Sequence, residues 1–163
     1  MITTAQVPVS CLYFDFSPSP ATGGDATDIR DSLREVRSSL MSVYTLRGEA
    51  VSELQDVYLD CRYSNWDGYE ARAVTHEAYL QTKQFLDQVL DSCPPPTASA
   101  TPSGSLTLEW VSGPRRRFIV SLDGQTEFAF AGVFGWETVQ GTAAFSGDVP
   151  SVVFQHLSRV YLA

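Results

Sequence analysis

The sequence predicts an α+β fold: N-terminal helices, a four- to five-stranded antiparallel meander sheet and a C-terminal helix. Three observations predict it. Apolar residues recur at alternating intervals of four and three, first at Ile29, Leu33, Val36, Leu40 and Val43 and again between Tyr79 and Leu90, which places each set on one helical face. From Thr97 onward, short alternating segments are separated by Gly, Pro and Asp turn signals. Pro150 then opens a last helical stretch, where its fixed φ and missing N–H are tolerated. With 163 residues, 44% of them hydrophobic, the chain can bury one sizeable core.

Residues 1–24 read as an N-terminal arm or edge strand followed by a Pro/Gly-rich linker. Val7 to Phe16 is β-prone, but Pro8 and the Ser-Pro-Ser-Pro-Ala-Thr-Gly-Gly run at 17–24 isolate it. Residues 25–163 form a single α+β domain, with a helical half at 25–93 and the sheet plus terminal helix at 94–163. Asp25 or Thr27 can cap the first helix. Gly48 leaves two arrangements open: one helix over 28–60 that tolerates the glycine, or a hairpin turned at Arg47 and Gly48. Val51, Leu54, Val57, Tyr58 and Cys61 resume the apolar face, and the intervals favour one long or kinked helix in which Arg47 takes an apolar position. That face buries against the rest of the domain or pairs with another chain, and its short length favours the first.

Thr75 caps the next helix, with Glu77 near its positive end, and Pro94 to Pro96 stop it. The expected strands are 97–101, 105–111, 116–122, 125–131 and 137–145. Asp123-Gly124 is the clearest hairpin signal, and Gly141 inside the last strand suggests a bulge. Val153, Phe154, Leu157, Val160 and Tyr161 form the apolar side of the last helix.

The formal charge is −8, from 19 acidic and 11 basic side chains. Residues 1–93 carry 14 acids and 7 bases, whereas residues 94–163 carry 5 and 4, so the acidity belongs to the helical half. A chain with the single lysine Lys83 and one short basic run, Arg115 to Arg117, is a poor phosphate-tracking surface, so no direct nucleic-acid binding is expected. No stretch approaches the ~18 apolar residues of a membrane span, and the first positive side chain is Arg30, so neither membrane insertion nor a secretory leader is expected. Cys11, Cys61 and Cys93 make an odd number without C-x-x-C spacing, and the histidines are His76 and His156. This argues for reduced thiols in a cytoplasmic protein, with neither a disulfide framework nor a zinc site.

Motifs for nucleotide, metal or nucleophile chemistry are missing, so catalytic residues, metal ligands and cofactors are all expected to be none. His76 reads as solvent-facing, and His156 as a partly buried, structurally bonded histidine. Carboxylate pairs can be drawn from Asp67 and Glu70, or from Glu109 and Glu127 across neighbouring strands, the latter beside Arg115 to Arg117. Cys61 and Cys93 end apolar stripes, which suits packing better than reactivity.

The loop Asn65-Trp66-Asp67-Gly68-Tyr69 is the most informative segment. Asn and Asp close turns through their own side chains, Gly supplies positive φ, and two aromatics bring large area to a tight bend. Trp66 reads first as an anchor into the core; the functional alternative is that Trp66 and Tyr69 grip a partner. From Asn65 to Tyr161 the chain resembles a group of small, uncharacterised bacterial and phage proteins. In that group an Asn-Trp-Asp-Gly-Tyr loop precedes a capped helix, a Pro-rich break, a Leu-Glu-Trp strand and a meander. The matching pieces are Asn65 to Tyr69, Thr75 to Leu90, Pro94 to Pro96, Leu108 to Trp110 and Phe145 to Pro150. Glu70 and Val149 depart from the group, which usually has Gly and Leu there.

The expected function is therefore a non-enzymatic binding or regulatory protein, an acidic inhibitor of antitoxin-like or immunity-like kind that meets a basic protein partner. Its candidate contact residues are Asn65, Trp66, Asp67 and Tyr69 in the loop and Glu49, Glu53, Asp56 and Asp60 on the long helix. The alternatives are an enzyme of unrecognised class with a carboxylate and arginine cleft, or an oligomer assembled as a homodimer through helix 28–60.

Overall fold

The computed structural model describes residues 25–161, except for the side chains of 25–28 and 43. The expected arm or edge strand at 1–24 lies outside the described residues. In the described residues, three helices accompany one five-stranded antiparallel sheet. Contacts divide the chain into two compact units, Met1–Leu40 and Met41–Ala163.

Helix α1 (Asp25–Cys61) is continuous, so the hairpin alternative at Gly48 falls. A Cβ built on Gly48 would meet nothing within 4 Å, so no packing forces the chain to turn there. The first unit is described only as the helical stretch 25–40. There Ile29, Leu33, Val36 and Leu40 are between 53% and 63% exposed.

Within the second unit, the same 4/3 spacing continues through Ala50, Leu54 and Cys61, which are buried, with Val57 and Tyr58 packed beside them. Helix α2 (His76–Val89) starts where the sequence predicts. Thr75 is extended and its Oγ1 accepts from Ala78 N at 3.1 Å, and Ala78, Thr82, Phe85, Leu86 and Val89 form its buried stripe. The buried Thr82 hydroxyl is satisfied by Ala78 O at 2.7 Å.

The strands are β1 (Thr97–Ala100), β2 (Leu106–Gly113), β3 (Arg116–Leu122), β4 (Glu127–Phe134) and β5 (Glu137–Ala144), neighbours in sequence order. Alternation puts Leu106, Leu108, Trp110, Phe118, Val120, Leu122 and Phe128 on one face, where α2 and α3 (Ser151–Tyr161) cover them. Phe85 of α2 meets Phe128 and Phe145 edge-on, with ring centroids 5.3 and 5.5 Å apart. Trp110 completes the core and its indole N–H donates to Pro94 O at 2.9 Å.

Two glutamines of α2, seven residues apart and so on one face, fasten the loops around it. Gln81 accepts from Gly124 N at 2.9 Å and donates to Gln125 O. Gln88 donates to Gly147 O at 2.6 Å and accepts from Val149 N at 3.1 Å. The Asp123-Gly124 turn is therefore tight against α2: Gly124 has φ +87°, and a Cβ there would lie 3.0 Å from Ala78 N.

Gly141 does not mark a bulge. Its partner is Phe130 in an unbroken β4–β5 register, and the irregularity in the sheet falls between Val111 and Gly113 instead. The glycine makes room for a ring, since a Cβ at 141 would come within 2.9 Å of Phe130 Cζ. Gly132 likewise stays inside β4, because the rings of Phe134 and Phe118 crowd its Cβ position. β4 therefore runs on to Phe134, past the expected end at 131, and the turn into β5 is only Gly135 and Trp136.

Candidate functional site

The Asn-Trp-Asp-Gly-Tyr loop is built by its own polar side chains. Asn65 sits at φ 64° and its Oδ1 accepts from Glu70 N at 2.9 Å, while its backbone N–H donates to Ala71 O at 2.7 Å. Asp67 Oδ1 accepts from Tyr69 N at 2.8 Å and from Ala71 N at 3.1 Å. Both residues are thus spent on closing the bend. Trp66 packs partly buried against the core and donates its indole N–H to Arg72 O at 3.0 Å, so it is an anchor. Tyr69, by contrast, is 88% exposed. Of the four loop candidates, Tyr69 alone offers a large free surface.

The four helix candidates also separate. Glu49, Glu53, Asp56 and Asp60 are spaced by four, three and four residues, one stripe of α1, and all are exposed. None forms an ion pair among the described residues. Glu53, however, has a structural partner: its Oε1 accepts from Ala98 N at 2.8 Å. Ala98 belongs to β1, an edge strand, so this carboxylate occupies one backbone donor that the sheet leaves unpaired. Glu49, Asp56 and Asp60 remain without such a contact among the described residues.

The carboxylate pairs drawn from the sequence do not form as drawn. β3 lies between β2 and β4, so Glu109 and Glu127 are not on neighbouring strands. Glu109 Oε1 instead accepts from Arg117 Nε at 2.9 Å, and Glu127 sits opposite Ala144. Glu70 is exposed at φ 68°, while Asp67 is turned into the loop. Among the described residues, no group of three or more His, Cys, Asp or Glu side chains is placed to hold a metal ion.

The histidines differ. His76 is exposed in the first turn of α2, and its Nδ1 lies 3.4 Å from Tyr58 Oη. His156 is partly buried as expected, but the expected structural bond is not seen: its Nδ1 is buried without a hydrogen-bond partner among the described residues. The rings of Phe118, Phe130 and Phe134 surround it with centroids 5.3, 5.6 and 5.7 Å away. Burial lowers its pKa from the usual 6.5, the nearby Arg159 lowers it further, and Glu137 opposes both. Cys61 and Cys93 are free thiols pushed upward by burial, and Asp60 adds to the rise at Cys61. Such thiols are poor nucleophiles at neutral pH.

One surface was missed in the sequence. Trp136, at the β4–β5 turn, is 89% exposed, and Arg115 Cζ lies 3.7 Å from its ring centroid. Gly135 N donates to Arg115 O at 2.7 Å, which holds the β4–β5 turn beside the β2–β3 turn. A Trp directly after a turn glycine, with an arginine run in the hairpin before it, was the signal available.

The fold and these surfaces define an α+β protein in which the side chains of Asn65 and Asp67 serve the loop itself. Compared with protein families, with curated proteins and with solved structures, the chain matches none. No helix among the described residues is long and apolar enough to cross a membrane.

Proposed function

We propose that the chain is a non-enzymatic binding and regulatory protein, an acidic inhibitor of antitoxin-like or immunity-like kind that acts on a basic protein partner. The observation that carries this is the exposed row Ile29, Leu33, Val36 and Leu40. Four aliphatic side chains on one helical face are costly to leave in water, and a helix laid into an apolar groove is a common way to cover such a row. The carboxylates Glu49, Asp56 and Asp60 add negative charge free of ion pairs among the described residues, which favours a positively charged partner and speeds its encounter. The resemblance of the segment 65–161 to small bacterial and phage proteins fits an accessory protein of a mobile element. Free Cys61 and Cys93 suit the reducing cytoplasm.

The same row supports a second reading, a homodimer through helix 28–60. Ile29 and Val36 alternate with Leu33 and Leu40 in the positions that interlock two helices. Light scattering on the purified full chain separates the two: a monomer at high concentration removes the dimer and leaves the row for another protein. Of the groups an enzymatic alternative would use, Asp67 and Glu109 are held in structural bonds, whereas Glu70, Arg115 and Arg116 are not.

The charge arm is tested by affinity capture with the wild type and with Glu49→Gln/Asp56→Asn/Asp60→Asn. The expected result is a basic protein retained by the wild type and weakened or lost with the neutralised chain. Equal capture by both would contradict an electrostatic partner.

A further inference from the structure

Two of the four basic side chains around the β2–β3 and β4–β5 turns are already neutralised. Arg117 is paired with Glu109, and Arg159 closes on Glu137 through both guanidinium nitrogens, at 3.3 and 2.6 Å. Arg115 and Arg116 have no carboxylate within ion-pair distance among the described residues. Beside them Trp136, 89% exposed, is the most exposed large hydrophobic side chain among the described residues, with Arg115 stacked on its ring at 3.7 Å. This corner is therefore locally positive and aromatic on a chain of net charge −8.

We infer that Trp136, Arg115 and Arg116 form a docking site for an acidic protein segment, in which carboxylates flank an apolar or aromatic side chain. The indole offers rigid apolar area with few rotatable bonds, and its exposure leaves that area open to a partner. Stacking on the indole orients the Arg115 guanidinium, and a planar guanidinium takes a carboxylate through two parallel hydrogen bonds. Charge complementarity selects the occupant. A basic segment would be repelled by the two arginines. A nucleic acid needs more phosphate contacts than two unpaired arginines provide, and the rest of the chain repels it. The site shares no residue with α1, so its failure leaves the proposal for Ile29 to Leu40 untouched.

A phage-displayed library of random dodecapeptides panned on the immobilised full chain identifies what the corner prefers. A labelled peptide from the enriched set is then titrated by fluorescence polarisation, with a labelled oligothymidylate as a second probe. The expected sequences carry acidic residues beside an aromatic or aliphatic one. Trp136→Ala should weaken the peptide by about tenfold or more, the loss typical of an interface anchor. Arg115→Gln and Arg116→Gln should each weaken it and reduce its salt dependence. All three positions are at the surface, and a thermal melt matching the wild type confirms that each variant is folded. Failure to enrich any peptide, enrichment without acidic residues, affinity unchanged in Trp136→Ala, or tighter binding of oligothymidylate would each overturn the inference.

Discussion

Arg47 Nη1 donates to Asp91 Oδ1 at 2.5 Å, which explains why a basic residue stands in an otherwise apolar helical row. Nη2 of the same guanidinium donates to Asp87 O at 2.8 Å, so Arg47 joins α1 to the end of α2, where the last carbonyls lack helical partners. Its pKa is raised, chiefly by the hydrogen bond with Asp91 against the opposing effect of burial, so it stays charged throughout the working range. Arg47→Ala should cost about 1 kcal/mol in denaturant unfolding, no more, because the partners remain partly exposed and water screens them.

Glu53 makes a sharper case for a structural carboxylate. Its acceptance of Ala98 N gives an edge-strand donor a partner. Glu53→Ala should lower stability by about 1 kcal/mol, whereas Glu53→Gln keeps an acceptor oxygen and should recover most of it. Urea midpoints of the two variants check this; equal losses would mean that the charge rather than the hydrogen bond matters.

Gly141 should resist residues that ordinarily favour strands. Alanine or valine would raise β-propensity, yet the Cβ would meet the Phe130 ring at 2.9 Å. Gly141→Ala is expected to destabilise by about 1–3 kcal/mol, the usual cost of overpacking. Adding Phe130→Leu should make the two losses less than additive, which a double-mutant cycle measures.

Stability should also depend on His156. Its folded-state pKa lies below 6.5, so the unfolded chain binds the proton more readily. The stabilisation is fully present above about pH 6.5, declines as pH falls below that value, and levels off beneath the folded-state pKa. The groups facing it are the rings of Phe118, Phe130 and Phe134 together with Arg159 and Glu137. Unfolding midpoints between pH 5 and 8 should show a flatter profile for His156→Leu than for the wild type, and identical slopes would exclude His156 as the source.

Much of the architecture was legible because it is governed locally. Thr75 caps α2, Asp123-Gly124 turns β3 into β4, and Pro150 precedes α3, each through residues a few positions apart. What was not legible depends on partners distant in sequence. Gly141 looked like a bulge because nothing nearby reveals that Phe130 lies across from it. Glu53 looked like a free surface acid because Ala98 is 45 residues away. Glu109 and Glu127 looked paired until the strand order put β3 between them. In the candidate loop, composition announced the turn, but the division between an anchoring Trp66 and an exposed Tyr69 needed the surrounding packing. The helical period identified the apolar row of α1 correctly, yet a period carries no information on whether the row is covered.

That row is the centre of the account, and Leu33→Glu/Leu40→Glu tests it directly. Both side chains are exposed, so the double variant should unfold at the wild-type temperature. Affinity capture with wild type and variant is compared at about 0.1 M and about 1 M salt, where the screening length falls from about 10 to about 3 Å. The expected result is a basic protein held by the wild type, weakened at high salt, and lost with the folded variant at either concentration. A partner retained equally by wild type and variant would contradict the claim that Ile29 to Leu40 is the docking element.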